Sequence, residues 1–397
     1  MRTLGSLLWI GLAVALTLPW LGLRLQGAHP EPLLMALLAG LAIVGAAFLL
    51  SWASEVAQLE VSQALAVAVL SLIAILPEYS VDIYFAWRAG QDPAYAHYAV
   101  ANMTGANRLL IGLGWSAIVV LFWLKTRQPA IYLHRDEGIE LGVMALATLY
   151  AFWLPLKAHI SLLDAVVLIA LFAVYVRATA QQPPEEPELV GPARLIGALS
   201  RTPRRLVTLG LFVYAAAAIL ASAEPFAEGL VASGKHLGID EFLLVQWIAP
   251  LASEMPEFVV ITLFALRGHP TLALRALLSS KVNQWTLLVG MLPLAYTVGG
   301  GGLHPLPMDH RQVEEVFLTA AQSLYGVVLL AGRSFSLPAA LSLFGLFGLQ
   351  FFWPDLRLPV AWLYLGLALG LLVIDAKRRS GLLSLPAFLL KPPVNVR

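Results

Sequence analysis

Two stretches of this 397-residue chain repeat each other, and each sets a Pro-Glu pair inside a long apolar run. The first is LPEYSVDIYFAWR, Leu76 to Arg88; the second is MPEFVVITLFALR, Met255 to Arg267. From the proline onward six of twelve positions are identical, including Pro77-Glu78, Pro256-Glu257 and the closing arginines. A charged side chain at the centre of a membrane helix costs about 3 kcal/mol, so a duplicated one reads as functional. Proline has no N–H to donate, and its ring displaces the carbonyl one turn earlier, which leaves that oxygen able to face an ion. A repeated Pro-Glu in broken apolar helices points to an ion site at the interface of two inverted halves.

The surrounding chain is 59% hydrophobic and 12% charged, with a mean hydropathy of +0.79. Soluble domains carry about 25% charged residues, so this is an all-α integral membrane protein. The net charge of +1 and basic residues scattered over loops speak against nucleic acid as a partner. The absence of cysteine excludes disulfides, thiolate metal sites and a cysteine nucleophile. No Gly-x-Ser-x-Gly, Walker-type loop or helix with paired metal ligands is present, so neither an enzyme nor a nucleotide-driven pump is expected.

Runs of about 20 apolar residues mark twelve spans: 4–24, 31–52, 60–88, 95–124, 137–155, 160–177, 205–223, 240–267, 270–297, 313–332, 336–352 and 358–375. The first, lacking a small-x-small cleavage site, reads as a retained helix rather than a signal peptide. Four of the runs exceed one crossing, and Pro77 and Pro256 favour broken helices. With the N-terminus inside, sixteen basic residues lie on inner segments and six on outer ones, which predicts both termini in the cytoplasm of a plasma (inner) membrane. The expected organisation is an extra helix in 1–30, a repeat over 31–177, a cytoplasmic linker at 178–204, a second repeat over 205–352, and an extra helix with a basic tail in 353–397. Five spans per repeat is an odd number, so the copies are inverted and their Pro-Glu helices can meet near the midplane. The run GGGG at 299–302 reads as a flexible external connector.

Within the spans stand Glu78, Asp82, Arg108, Glu254, Glu257, Arg275 and Lys281. Glu78 and Asp82 are four apart and share a helix face; Glu254 and Glu257 are three apart and share one too. Carboxylates with nearby Asn, Ser and backbone carbonyls suit hard cations such as calcium and sodium. Each carboxylate also has a plainer reading, as a buried ion pair or an interfacial residue, and Asn102 and Asn107 can glue helices by amide hydrogen bonds. Arg88 and Arg267 read as helix ends whose side chains snorkel to the interface.

These segments resemble the alpha repeats of the calcium/cation antiporter superfamily, which includes the sodium/calcium exchangers. Each family repeat carries a T-S-x-P-E type helix and then a G-N-x-x-G-S-N-I type helix. Here the first reads AILPE, Ala74 to Glu78, followed by ANMTGAN, Ala101 to Asn107. The second reads SEMPE, Ser253 to Glu257, followed by GHPTLALRALLSSKVNQ, Gly268 to Gln284. The resemblance implies two inverted five-helix repeats, an acidic site at the midplane and exchange of one cation for another by alternating access. It implies Glu78 and Glu257 as the metal ligands, and no resident cofactor, since the cation is cargo. Carried onto this chain, the cation-binding set becomes Glu78, Glu257, Glu254, Asp82, Asn102, Asn107, Ser253, Ser280 and Gln284.

The departures from the pattern are specific. Ala74 and Ile75 replace the first hydroxyl pair, Glu254 replaces a hydroxyl in the second, G-S-N is GAN at Gly105 to Asn107, and it is SSK at Ser279 to Lys281. Two registers compete: one aligns Asn107 with Lys281 and Leu110 with Gln284, the other aligns LLIG (109–112) with LLVG (287–290). A buried lysine beside Glu257 or Glu78 can stand in for a monovalent ion and couple the site to protons, or it can occlude it. The expectation is thus a secondary antiporter of calcium or sodium against protons or sodium. The alternative is a transport-inactive scaffold or regulatory protein of the same fold, held closed by Glu–Lys pairs.

Overall fold

The computed structural model describes residues 2–61, 73, 75–133, 137–182 and 189–390. In chain order its helices are α1 (Arg2–Leu25), α2 (Pro32–Ala57), α3 (Leu76–Ala89), α4 (Ala96–Leu109), α5 (Ser116–Thr126), α6 (Gly138–Ala151), α7 (Trp153–Lys157), α8 (Leu162–Thr179), α9 (Pro192–Gly197), α10 (Arg201–Leu237), α11 (Glu241–Ser253), α12 (Met255–Arg267), α13 (Pro270–Asn283), α14 (Val289–Tyr296), α15 (His310–Ala331), α16 (Leu337–Phe352), α17 (Arg357–Ile374) and α18 (Ala376–Leu390). Four short strands join them: β1 (Ala130–Tyr132), β2 (His159–Ile160), β3 (Leu306–Pro307) and β4 (Ser334–Ser336). Among the described residues eight helices are long and apolar enough to cross a membrane, and a bent pair makes a ninth. Ala74 and most of the first half of the expected span 60–88 lie outside the described residues.

The chain divides into two compact units, Met1–Phe85 with Pro183–Pro256, and Ala86–Gln182 with Glu257–Arg397. In the first, α2 and α10 approach at backbone distance. A Cβ on Gly229 would lie 2.8 Å from Ala36 N, and one on Gly40 would lie 2.8 Å from the Phe226 ring. Close approach through small residues is how helices associate in lipid, where apolar side chains gain nothing by leaving one apolar medium for another. Pro225 in α10 cannot donate to the Ala221 carbonyl, and the Trp20 indole of α1 donates to it instead at 3.2 Å. Ala46, Leu49, Leu50, Ala215 and Ile219 form the core of this unit.

The second unit carries its own two-fold pattern. β1 pairs antiparallel with β4, and β2 with β3. Since β1 and β3 precede α6 and α15, while β2 and β4 precede α8 and α16, each pair is the other with the repeats exchanged. α4 runs into a π-helical segment, Leu110–Trp115, and then α5; α13 runs into a π-helical segment, Gln284–Leu288, and then α14. The π segments begin three residues after Asn107 and three after Lys281, so the backbone selects the register that pairs those two residues. Ile111, Trp115, Leu277, Val282, Tyr325 and Leu343 are among the buried side chains of this core.

The long runs are accommodated in two ways. The run at 95–124 is continuous, carried through by the π segment rather than broken. The run at 240–267 is broken, with a bend of 56° between α11 and α12 at Glu254. The glycine run is not a free connector. Thr297–Gly301 forms a final π turn, a Cβ on Gly299 would lie 2.0 Å from Trp87 O, and one on Gly90 would lie 2.4 Å from Tyr296 O. Only residues without a Cβ let these two backbones touch.

Candidate cation site

The prolines of the duplicated motif start helices rather than kink them. Pro77 is the second residue of α3 and Pro256 the second of α12. A helix leaves its first N–H groups unbonded, so proline there forfeits nothing, and its fixed φ suits the first turn. Glu78 and Glu257 are third in their helices, where the dipole favours a carboxylate. Both copies therefore present the glutamate in the same way.

In the first unit Glu78 is 2% exposed and Asp82, one turn on along α3, is fully buried. Ser253 closes α11 and its hydroxyl donates back to the carbonyls of Ala249 and Pro250, both at 3.2 Å. Glu254, 2% exposed, is the break residue, with φ −94° and ψ 1°.

In the second unit Glu257 is half-buried. Asn102, Asn107, Lys281 and Gln284 are buried; Ser280 is half-buried on α13. The structure brings Lys281 and Asn107 together: Nζ donates to Oδ1 at 2.6 Å, and the same ammonium lies 4.2 Å from the centre of the Trp285 ring. Asn107 Nδ2 donates to Met103 O at 2.7 Å. Residues that correspond in the two repeats and touch each other lie on the two-fold axis relating them, so this pair marks the centre of the unit. Asn102 has no hydrogen-bond partner for either amide atom among the described residues. A buried amide left so costs about 1–3 kcal/mol, and it is the kind of group that a cation satisfies. Within either unit, among the described residues, no three His, Asp or Glu side chains converge to hold a metal.

The two arginines of the spans, Arg108 and Arg275, form ion pairs with partners far away along the chain. Arg108, 1% exposed, pairs with Glu315 at 2.5 Å and donates to Gln350 Oε1 at 2.7 Å. Arg357 Nη1 stands 3.6 Å from the same Glu315. Arg275 lies 3.9 Å from Glu140 and donates to Gln182 Oε1 at 3.1 Å. Glu140 on α6 and Glu315 on α15 occupy corresponding helices, and each takes its arginine from the other repeat. Both glutamates stand near the starts of their apolar runs, where a carboxylate reads as interfacial; their 2% and 1% exposure is a tertiary fact. Arg88 and Arg267 do close their helices, and Arg88 stacks 5.0 Å over Tyr95.

The family model described as sodium/calcium exchanger protein matches residues 31–180 and 207–354. Comparison with the curated proteins finds no match. Among solved structures, the crystal structure of an H+/Ca2+ exchanger, CAX, is 42% identical; the match covers 97% of this chain and 98% of that one, with a TM-score of 0.92. The sodium-calcium exchanger NCX_Mj, soaked with 100 mM Na+ and 10 mM Sr2+, is 18% identical over 81% of this chain and 97% of its own, with a TM-score of 0.52, a likeness of fold. The duplicated Pro-Glu helices, the inverted repeats and these matches agree: the chain belongs to the sodium/calcium exchanger protein family, an integral membrane cation antiporter and not an enzyme.

Proposed function

We propose that this antiporter exchanges calcium against protons rather than against sodium. One observation carries the reading: the Asn107 carbonyl oxygen, a motif position, is held by the fixed ammonium of Lys281 at 2.6 Å. Sodium needs several oxygen ligands. Here one motif oxygen is committed, Ala74, Ile75 and Ala106 have replaced hydroxyls, and Lys281 replaces an asparagine outright. The 42% identity to an H+/Ca2+ exchanger over nearly the whole chain supports the same choice.

In this reading Glu78 and Glu257 carry the calcium, and each takes up a proton when the ion leaves. Asn102, with its unbonded amide, contributes an oxygen. Glu254, Asp82, Ser253, Ser280 and Gln284 complete the polar lining from their own repeats. Proton coupling follows from chemistry: a carboxylate in a site of low dielectric cannot stay charged without a cation, so losing calcium obliges it to take a proton. Both termini and the linker face the cytoplasm in this reading, which the excess of basic residues on those segments supports.

The test is calcium flux in proteoliposomes with pH, sodium and potassium gradients imposed one at a time. A pH gradient alone should drive calcium uptake in sodium-free buffer. Glu78→Gln and Glu257→Gln, which keep volume and remove charge, should each abolish it while the protein still inserts. Uptake that responds to sodium and not to pH would refute the proton reading, and parental flux in either variant would remove that glutamate from the site.

A further inference from the structure

Among the described residues, the start of α10 holds more positive charge than its surroundings balance. Three arginines, Arg201, Arg204 and Arg205, converge on a single carboxylate, Glu60, which follows the end of α2. Arg204 is consumed: it grips Glu60 Oε1 through Nε and Nη2 and donates through Nη1 to Gly197 O at 3.1 Å. Arg205 spends only Nε, on Glu60 Oε2 at 2.7 Å. Arg201 reaches no closer than 3.7 Å. The side chains of Arg201 and Arg205 are 74% and 50% exposed. Among the described residues, after one glutamate is counted, two guanidiniums' worth of charge remain, at the helix end whose dipole is already positive.

What lies beyond them along the same face is apolar. Arg201, Arg205, Leu209 and Val213 follow one another at four-residue intervals and form a stripe. Leu209 is 60% and Val213 62% exposed, on a helix that spans a membrane. Two cationic forks followed by exposed hydrocarbon is the order of groups met in passing from a lipid phosphate to its acyl chains. Guanidinium binds phosphate through paired N–H donors, and the unused Nη groups of Arg201 and Arg205 supply them.

We propose that the Arg201–Arg205 face of α10 is a binding site for the phosphate headgroup of an anionic phospholipid, with its acyl chain on Leu209 and Val213. Glu60 sets the strength of the site by neutralising one arginine and pinning its geometry. The inference concerns the guanidinium surplus and the apolar stripe, and it stands independently of which ions are exchanged.

The full-length protein in phosphatidylcholine nanodiscs, doped with spin-labelled phosphatidylglycerol or spin-labelled phosphatidylcholine, tests it. The immobilised fraction should favour the anionic lipid. A basic residue near the headgroups contributes about fivefold in lipid association, so Arg201→Gln with Arg205→Gln should lower that preference by about 25-fold. Glu60→Gln releases charge and should raise it. An unchanged preference in the double variant overturns the proposal, as does a lowered preference in Glu60→Gln. Displacement of the labelled lipid by millimolar inorganic phosphate would make this an ion site and overturn the assignment to lipid. Circular dichroism and the retained preference of Arg201→Lys with Arg205→Lys separate lost binding from lost folding.

Discussion

Replacing Arg108 by methionine should destabilise this protein more than any other single change of a buried cation. The pair it forms with Glu315 is 1% exposed on both sides and 2.5 Å apart. Arg108 also donates to Gln350 Oε1 at 2.7 Å and to Thr104 O at 3.3 Å. Removing one partner of a buried pair costs about 3–5 kcal/mol, because the other charge is left in a medium that cannot solvate it. The loss falls near the lower bound, about 3 kcal/mol, since Arg357 remains 3.6 Å from Glu315. The corresponding pair, Arg275 with Glu140, is 3.9 Å apart and its arginine is 21% exposed. Water reaches that guanidinium and the pair is longer, so Arg275→Met should cost less than Arg108→Met, although it leaves Glu140 buried. Unfolding of both variants in mixed micelles, with Glu315→Gln and the double variant completing a cycle, measures the difference. Equal costs for Arg108→Met and Arg275→Met, or a coupling between Arg108 and Glu315 below about 1 kcal/mol, would refute the argument that burial and distance decide the strength of these pairs.

Lys281→Asn restores the family's amide and removes a charge-assisted hydrogen bond of about 1.5–3 kcal/mol; sodium should then compete with calcium for uptake, and an absence of any sodium effect would assign Lys281 a purely structural role. Glu60 is held below its ordinary value near 4.5 by hydrogen bonds from Arg204 and Arg205. A depressed carboxyl contributes stability above its unfolded value and loses it only as pH falls through the folded one. The difference in unfolding midpoint between the parent and Glu60→Gln should therefore stay constant from neutral pH to about 4.5 and shrink below it. Gly299→Ala would place a methyl 2.0 Å from Trp87 O, a rigid backbone atom; it should destabilise by about 1–3 kcal/mol, read as a lowered melting temperature in detergent, whereas Gly345→Ala, with nothing within 4 Å, should leave melting unchanged.

Composition and motif spacing alone determined that this is an all-helical membrane protein with a duplicated Pro-Glu element; antiport entered only through the resemblance of that element to the cation antiporter repeats. Those conclusions rest on local terms: an apolar run of 20 residues has nowhere to go but lipid, and proline and glutamate declare a helix start by their own chemistry. The register of the second half-motif was open, because LLIG and LLVG compete with GAN and SSK as anchors. Backbone geometry resolved it, since a π segment follows both Asn107 and Lys281 after three residues. The partner of Lys281 could not be read along the chain either. Asn107 is 174 residues away, and only the two-fold arrangement of α4 and α13 brings its oxygen to the ammonium. Nothing along the chain singles out Glu140 and Glu315, yet both are buried and each holds an arginine of the opposite repeat. The glycines at 299–302 looked like slack and proved to be a contact with Trp87 and Gly90. Sequence reports which groups are too costly to leave in lipid unpaired. Which group pairs with which is settled by packing, because the desolvation penalty is set by neighbours that lie far off along the chain.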